Sequence, residues 1–164
     1  MPVEVCVFDA YGTLFDVHSA SRALAPQIPD AERLSRIWRE KQLQYTWLRA
    51  LMHRYASFWQ VVQDGLDYAM AACELEDPTL RSELLALFER LDAYPEVPDI
   101  LDALRSRGLR TAILSNGSPE MLASATEASG IASKLDAVLS VEPVKTFKPD
   151  PRVYAMAETH FGLP

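Results

Sequence analysis

Asp9 closes a short apolar run over residues 3–8 and is followed at once by Ala10, Tyr11 and Gly12. A nearly continuous apolar stretch suits a strand buried in a parallel sheet, and an open α/β sheet binds ligands beyond the carboxyl ends of its strands. A carboxylate delivered there can attack carbon directly, because an ionised Asp oxygen needs no base to remove a proton first. Other nucleophile sets are poorly represented. His18, His53 and His160 lack the spacing of a metal site or a catalytic triad, and Asp16 reads as a loop or helix-starting residue. Arg39, Leu43 and Trp47 recur at four-residue intervals, which places them on one helix face. A guanidinium above an apolar wall, which Phe58 would extend, forms a pocket for an anion and an alkyl group. Ser115 and Asn116 follow a second apolar run, so they fall at the same sheet end as Asp9 and offer a hydroxyl, an amide and a helix N-terminus to a ligand there. The competing readings are an Arg lying along the surface, core aromatics, and a plain polar turn around Asn116-Gly117.

These residues need a sheet to hold one end and helices to hold the other. Residues 3–9 read as a strand, and from about residue 17 to residue 91 the pattern turns helical. Leu34, Trp38, Tyr45, Leu48 and Met52 give one apolar face on a helix capped by Asp30. Ser57 opens a second helix to about Cys73, and Asp77-Pro78 a third to about Leu91. The remainder alternates: helix 97–107 stopped by Gly108, strand 110–114, helix 119–129 stopped by Gly130, strand 136–140, and helix 151–161 stopped by Gly162. The fold class is α/β, a doubly wound Rossmann-like parallel sheet formed by residues 1–16 and 92–164, with an all-helical cap, 17–91, inserted after the first strand.

At 164 residues, about half apolar and a quarter charged, the chain suits a globular domain with an insertion and no disordered tract. A net charge of -7 without any Lys/Arg cluster disfavours nucleic acid as a partner, yet leaves a small anionic substrate open because a cleft can oppose the overall sign. Cys6 and Cys73 make a poor disulfide framework and fit a reducing compartment. No run reaches the roughly 18 residues of a membrane span, and the N-terminus lacks a signal-peptide pattern, so the expected location is cytoplasmic.

Four ordered stretches carry a family resemblance. Asp9-Ala10-Tyr11-Gly12-Thr13-Leu14-Phe15-Asp16 resembles motif one of the haloacid dehalogenase (HAD) superfamily and, more narrowly, its L-2-haloacid dehalogenase branch. Trp38-Arg39-Glu40-Lys41-Gln42-Leu43-Gln44-Tyr45-Thr46-Trp47, then Leu114-Ser115-Asn116-Gly117-Ser118-Pro119, then Lys148-Pro149-Asp150 followed by Tyr154, are similar to later stretches of that branch. Phosphatases of the superfamily carry a second Asp two residues after the nucleophile to protonate the leaving group. Here that place is Tyr11, which points to a group that departs without a proton, as a halide does.

The resemblance implies an (S)-2-haloacid dehalogenase that turns short (S)-2-haloalkanoic acids into (R)-2-hydroxy acids plus halide, using water and an ester on Asp9. It implies that Lys148, with Lys145 as the rival, favours the charged form of Asp9, and that Tyr154 orients Lys148 through its hydroxyl. Thr13 would hydrogen-bond Asp9 and hold the turn, Arg39 would take the departing halide, and Leu43, Trp47 and Phe58 would wall the pocket. Ser115 and Asn116, with backbone and ring contacts from Ala10 and Tyr11, would bind the substrate carboxylate. Neither metal nor cofactor is implied, and the family association is a homodimer through cap helices. The apolar face around Trp38 and Tyr45 fits that association, and an internal core accounts for it equally well. The branch continues past position 164 with last core strands and a Ser, an Asn and an Asp that position water and help hold Lys148. The expectation is therefore a truncated chain in which ester hydrolysis is in doubt. The alternatives are a Mg²⁺-dependent phosphatase of the same superfamily, and an inactive fragment that serves association.

Overall fold

The computed structural model describes residues 3–163. Three parallel strands, β1 (Val5–Phe8), β2 (Arg110–Ser115) and β3 (Ala137–Ser140), lie in the order β1-β2-β3. Register sets Phe8 beside Ile113 and Ser115 beside Ser140, so the strands finish together and their following loops gather at one end. The central β2 is buried from Thr111 onward. β1 is a sheet edge, with β2 as its single neighbour among the described residues, and Val7 of this apolar strand is 39% exposed.

Between β1 and β2 come α1 (Ser19–Ala23), α2 (Ala31–Leu51), α3 (Phe58–Ala72), α4 (Pro78–Phe88) and α5 (Val97–Ser106); α6 (Pro119–Ala128) joins β2 to β3, and α7 (Pro151–Phe161) follows. Local chemistry sets most boundaries. Asp30, Ser57 and Asp77 each accept a hydrogen bond from the first turn of α2, α3 and α4, as their positions in the sequence suggest, and Pro78 occupies the first helical position of α4. α5, α6 and α7 stop one or two residues short of Gly108, Gly130 and Gly162. No helix among the described residues is long and apolar enough to cross a membrane.

The inward face of α2 differs from the expected one. Leu34 and Trp38 are buried, but the line continues through Gln42 and Thr46, while Leu48 is 51% and Met52 55% exposed. α3 packs on this face, with Gly65 at a small gap: a Cβ there would be in ordinary contact, 3.4 Å from Trp38 Cδ1 and 3.6 Å from Gln42 Cγ. The two helices close over that gap, Trp38 Nε1 donates to Val62 O at 2.8 Å, and Thr46 satisfies its own hydroxyl on Leu43 O. Polar residues can then line the contact without an orphaned group.

One apolar core runs through both parts of the chain. Tyr11, from the loop after β1, stacks on Phe88 of α4 with centroids 5.5 Å apart, and Phe88 in turn meets Trp38 of α2 at 5.1 Å. Trp38 is thus a core residue and contributes nothing to an outer surface. Trp38→Ala should lower unfolding free energy by about 3–5 kcal/mol, the usual cost of deleting a large buried aromatic; a denaturant midpoint unchanged from the parent would refute this packing.

Candidate functional site

The loop after β1 is a tight, self-satisfied turn. Ala10 O accepts from the amides of Thr13, Leu14 and Phe15 at 3.2, 2.9 and 2.9 Å, and Gly12 N donates to Phe15 O at 2.8 Å. Gly12 has φ +90, a conformation that side chains disfavour, and a Cβ there would come within 3.0 Å of Arg39 Nη2. The missing side chain lets Arg39, on α2, reach over the turn and donate to Tyr11 O at 2.6 Å. Burial pushes the guanidinium down from its ordinary value, against the pull of Asp9 and Tyr94.

Asp9 faces the cleft beside this turn, with 41% of its side chain accessible. Lys148 Nζ donates to Asp9 Oδ1 at 2.8 Å and to Leu114 O, at the end of β2, at 2.5 Å. The Lys148 backbone is held as well, because its amide donates to Asn116 Oδ1 at 3.0 Å. Lys145, the competing cation, instead pairs with Glu142. The ammonium is therefore fixed from both ends of one residue, and it meets the carboxylate across 139 positions of sequence.

A cleft of about 620 Å³ opens over this pair. Its cationic side is Arg39 and Lys148; its apolar wall is Leu43, Trp47 and Phe58; Ser115 and Asn116 close the end nearest β2. The expected grouping of Arg39, Leu43 and Trp47 on one face of α2 is what the helix presents. Ser115 is buried and its Oγ accepts from Gly117 N at 3.1 Å, which leaves the hydroxyl proton to donate. Asn116 spends its carbonyl oxygen on Lys148, and its NH₂ group makes no hydrogen bond among the described residues. Both can offer a proton to an anion in the cleft.

Two expected contacts, those of Thr13 and Tyr154, are absent. Thr13 is exposed and no hydrogen bond joins its hydroxyl to Asp9; the turn is held by Ala10 O instead. Tyr154 lines the cleft but is 47% exposed and does not touch Lys148 through its hydroxyl, a task taken by the carbonyl of Leu114. Ala10 is fully buried, and its carbonyl is committed to the turn while its amide is the group that could face an anion. Tyr11 lines the floor yet its ring is only 3% exposed, packed among Phe15, Phe58 and Phe88, and its hydroxyl is buried without a partner. Burial, with Asp9 and Glu89 nearby, pushes that phenol well up, so it holds its proton tightly and makes a poor acid for a leaving group.

The sequence reading missed Gln42 and Thr46, buried residues that line the cleft beside Arg39. Gln42 Oε1 accepts from Arg39 Nη1 at 3.5 Å, and its place three residues after Arg39 on a helix was the available signal. Among the described residues no three His, Cys, Asp or Glu side chains gather to hold a metal ion.

Comparison with known proteins gives this arrangement its context. A family model described as haloacid dehalogenase-like hydrolase matches residues 3–164. The chain is 45% identical over 163 residues to (S)-2-haloacid dehalogenase 4A of Burkholderia cepacia, covering 98% of this chain and 71% of that protein. It is 48% identical over 158 residues to (S)-2-haloacid dehalogenase 1 of Pseudomonas sp. (strain CBS-3), covering 95% and 70%. The structure of L-2-haloacid dehalogenase from Xanthobacter autotrophicus with chloropropionic acid covalently bound superposes with a TM-score of 0.90 at 41% identity, over 99% of this chain and 66% of that one. With its whole described length matched in sequence and in fold, this chain belongs to the haloacid dehalogenase-like hydrolases.

Proposed function

We propose that this protein is a hydrolytic dehalogenase of short (S)-2-haloalkanoic acids, with Asp9 as the nucleophile. The observation that carries the reading is the Asp9–Lys148 pair at 2.8 Å, open to a cleft whose other cation is Arg39 and whose loop supplies no acid at position 11. The names of the relatives support the same substrate class. An oxygen of Asp9 attacks C2 from the side opposite the halogen; the C–O bond forms as the carbon–halogen bond breaks, and the halide leaves with the bonding electrons while C2 inverts. Arg39 stabilises the charge that grows on the halide, and Lys148 offsets the charge of the attacking carboxylate. Ser115 and Asn116 supply donors to the substrate carboxylate, with Leu43, Trp47, Phe58 and the floor at Tyr11 around the alkyl chain. Water then adds to the carbonyl carbon of the Asp9 ester, releasing the (R)-2-hydroxy acid and a proton and restoring the carboxylate. No step calls for a metal or a cofactor. A phosphatase would need a proton donor at position 11, where the buried phenol of Tyr11 is the opposite of one.

We also propose a homodimer and a cytoplasmic location. The outer side of α2 presents Leu48, Leu51 and Met52 to solvent, and this side is the homodimer interface of the proposal. The free thiols of Cys6 and Cys73 fit a cytoplasmic location.

One turnover in ¹⁸O water with enzyme in excess should place the label in the Asp9 carboxylate and leave the hydroxy acid unlabelled; label passing straight to product overturns the nucleophile. Halide release should persist in chelator, and its loss would count against the metal-free reaction. Arg39→Lys should cut kcat by about 10²–10³, the range for removing an oriented donor from a developing anion, with a smaller change in KM; an unaltered kcat would remove Arg39 from the halide site. Light scattering should report a dimer at micromolar concentration that Leu51→Glu returns to a monomer, and a monomeric parent would refute the interface.

A further inference from the structure

Six residues before Lys148 the chain makes a second crossing between the sheet side and the helical insertion, at a place the chemistry above does not use. Tyr55, in the turn between α2 and α3, donates its hydroxyl to Glu142 Oε2 at 2.7 Å, across 87 positions of sequence. Lys145 pairs with the other oxygen of Glu142 and sits 5.2 Å from the centre of the Tyr55 ring. The same ring packs on Phe147 at 5.1 Å, and Phe147 is fully buried against Phe58 of the cleft wall at 6.5 Å. The next residue is Lys148. Glu142 is also tied toward the other side of the site: its amide donates to Ser140 Oγ, and that hydroxyl donates to Gly117 O at 2.6 Å, directly behind Ser115 and Asn116.

We infer that Tyr55 and Glu142 are positioning residues for the dehalogenation: their hydrogen bond, backed by the Tyr55–Phe147 stack, sets how far the 142–148 segment reaches toward Asp9 and hence where the Lys148 ammonium stands. The geometry suits that task. Lys145 adopts a left-handed backbone, φ 49, a conformation costly for a non-glycine residue, and its side chain spans back to Glu142 from there. A segment turned this way needs an outside anchor, and Tyr55 is the anchor that comes from the insertion. Charge keeps the tie in one sense. Burial and the Glu142 carboxylate push the Tyr55 phenol up, while the bonds from Lys145 and Tyr55 hold the Glu142 carboxyl below its usual range, so donor and acceptor keep their roles at neutral pH. The tie joins the part that carries Arg39 to the part that carries Lys148, so both cations are set against Asp9 together.

This inference rests on the dehalogenase reading for its catalytic consequence, and the test separates the two. Tyr55→Phe deletes one oxygen and keeps the ring. It should speed amide hydrogen exchange across 142–148 and lower kcat about tenfold, the scale of one lost charge-assisted hydrogen bond, with KM changed less than about twofold. Glu142→Ala should match it, the double variant should be no worse than either single, and Glu142→Gln, which retains an acceptor for the phenol, should recover most of the loss. Unchanged exchange in the 142–148 segment overturns the inference, as does faster exchange with kcat intact. A parent protein that releases no halide overturns the dehalogenase reading alone, and the exchange data then decide whether the tie orders the Lys148 segment.

Discussion

The site depends on one ion pair formed between distant parts of the chain. Asp9 ends the first strand and Lys148 lies beyond the third, and they meet because β1 and β3 flank β2 in parallel and finish at the same level. Lys148 Nζ is shared between the carboxylate and Leu114 O, so the ammonium is oriented by main chain from the central strand as well as by its charge partner. The protein carries a net charge of -7, and against that background Arg39 and Lys148 make the cleft a local exception that an anionic substrate can enter.

Local signals were legible and relational ones were not. Asp30, Ser57 and Asp77 announce their helices because a cap and its amides lie within four residues of each other. Asp9, Arg39, Ser115 and Asn116 could be singled out by type and spacing and Lys148 through the family resemblance, and the fold brings all five to one cleft. The contacts ascribed to Thr13 and Tyr154 failed for a common reason. In both cases a backbone carbonyl, Ala10 O or Leu114 O, does the holding, and a carbonyl leaves no mark in the sequence. The inward face of α2 was misjudged past Trp38 because hydrophobicity was asked to decide what the packing of the facing helix decides. Gln42 and Thr46 are polar, and only the close approach of α3 turns them inward.

The helices between β1 and β2 do more than cover the sheet. Through the stack of Tyr11 on Phe88 and the contact of Phe88 with Trp38, the loop that carries Asp9 shares its packing with α2 and α4. Arg39 adds a polar link at the same place by taking Tyr11 O. The residue two places after Asp9 thus spends its ring on the packing of the insertion.

Gly12 shows how unevenly the walls of this cleft can vary. Its positive backbone angle and the crowding against Arg39 disfavour a side chain there, whereas Leu43 and Trp47 project from a helix into open volume. Mutational tolerance, and with it any drift or deliberate redesign toward bulkier acids, is concentrated on the helical rim, while Gly12 beneath resists replacement.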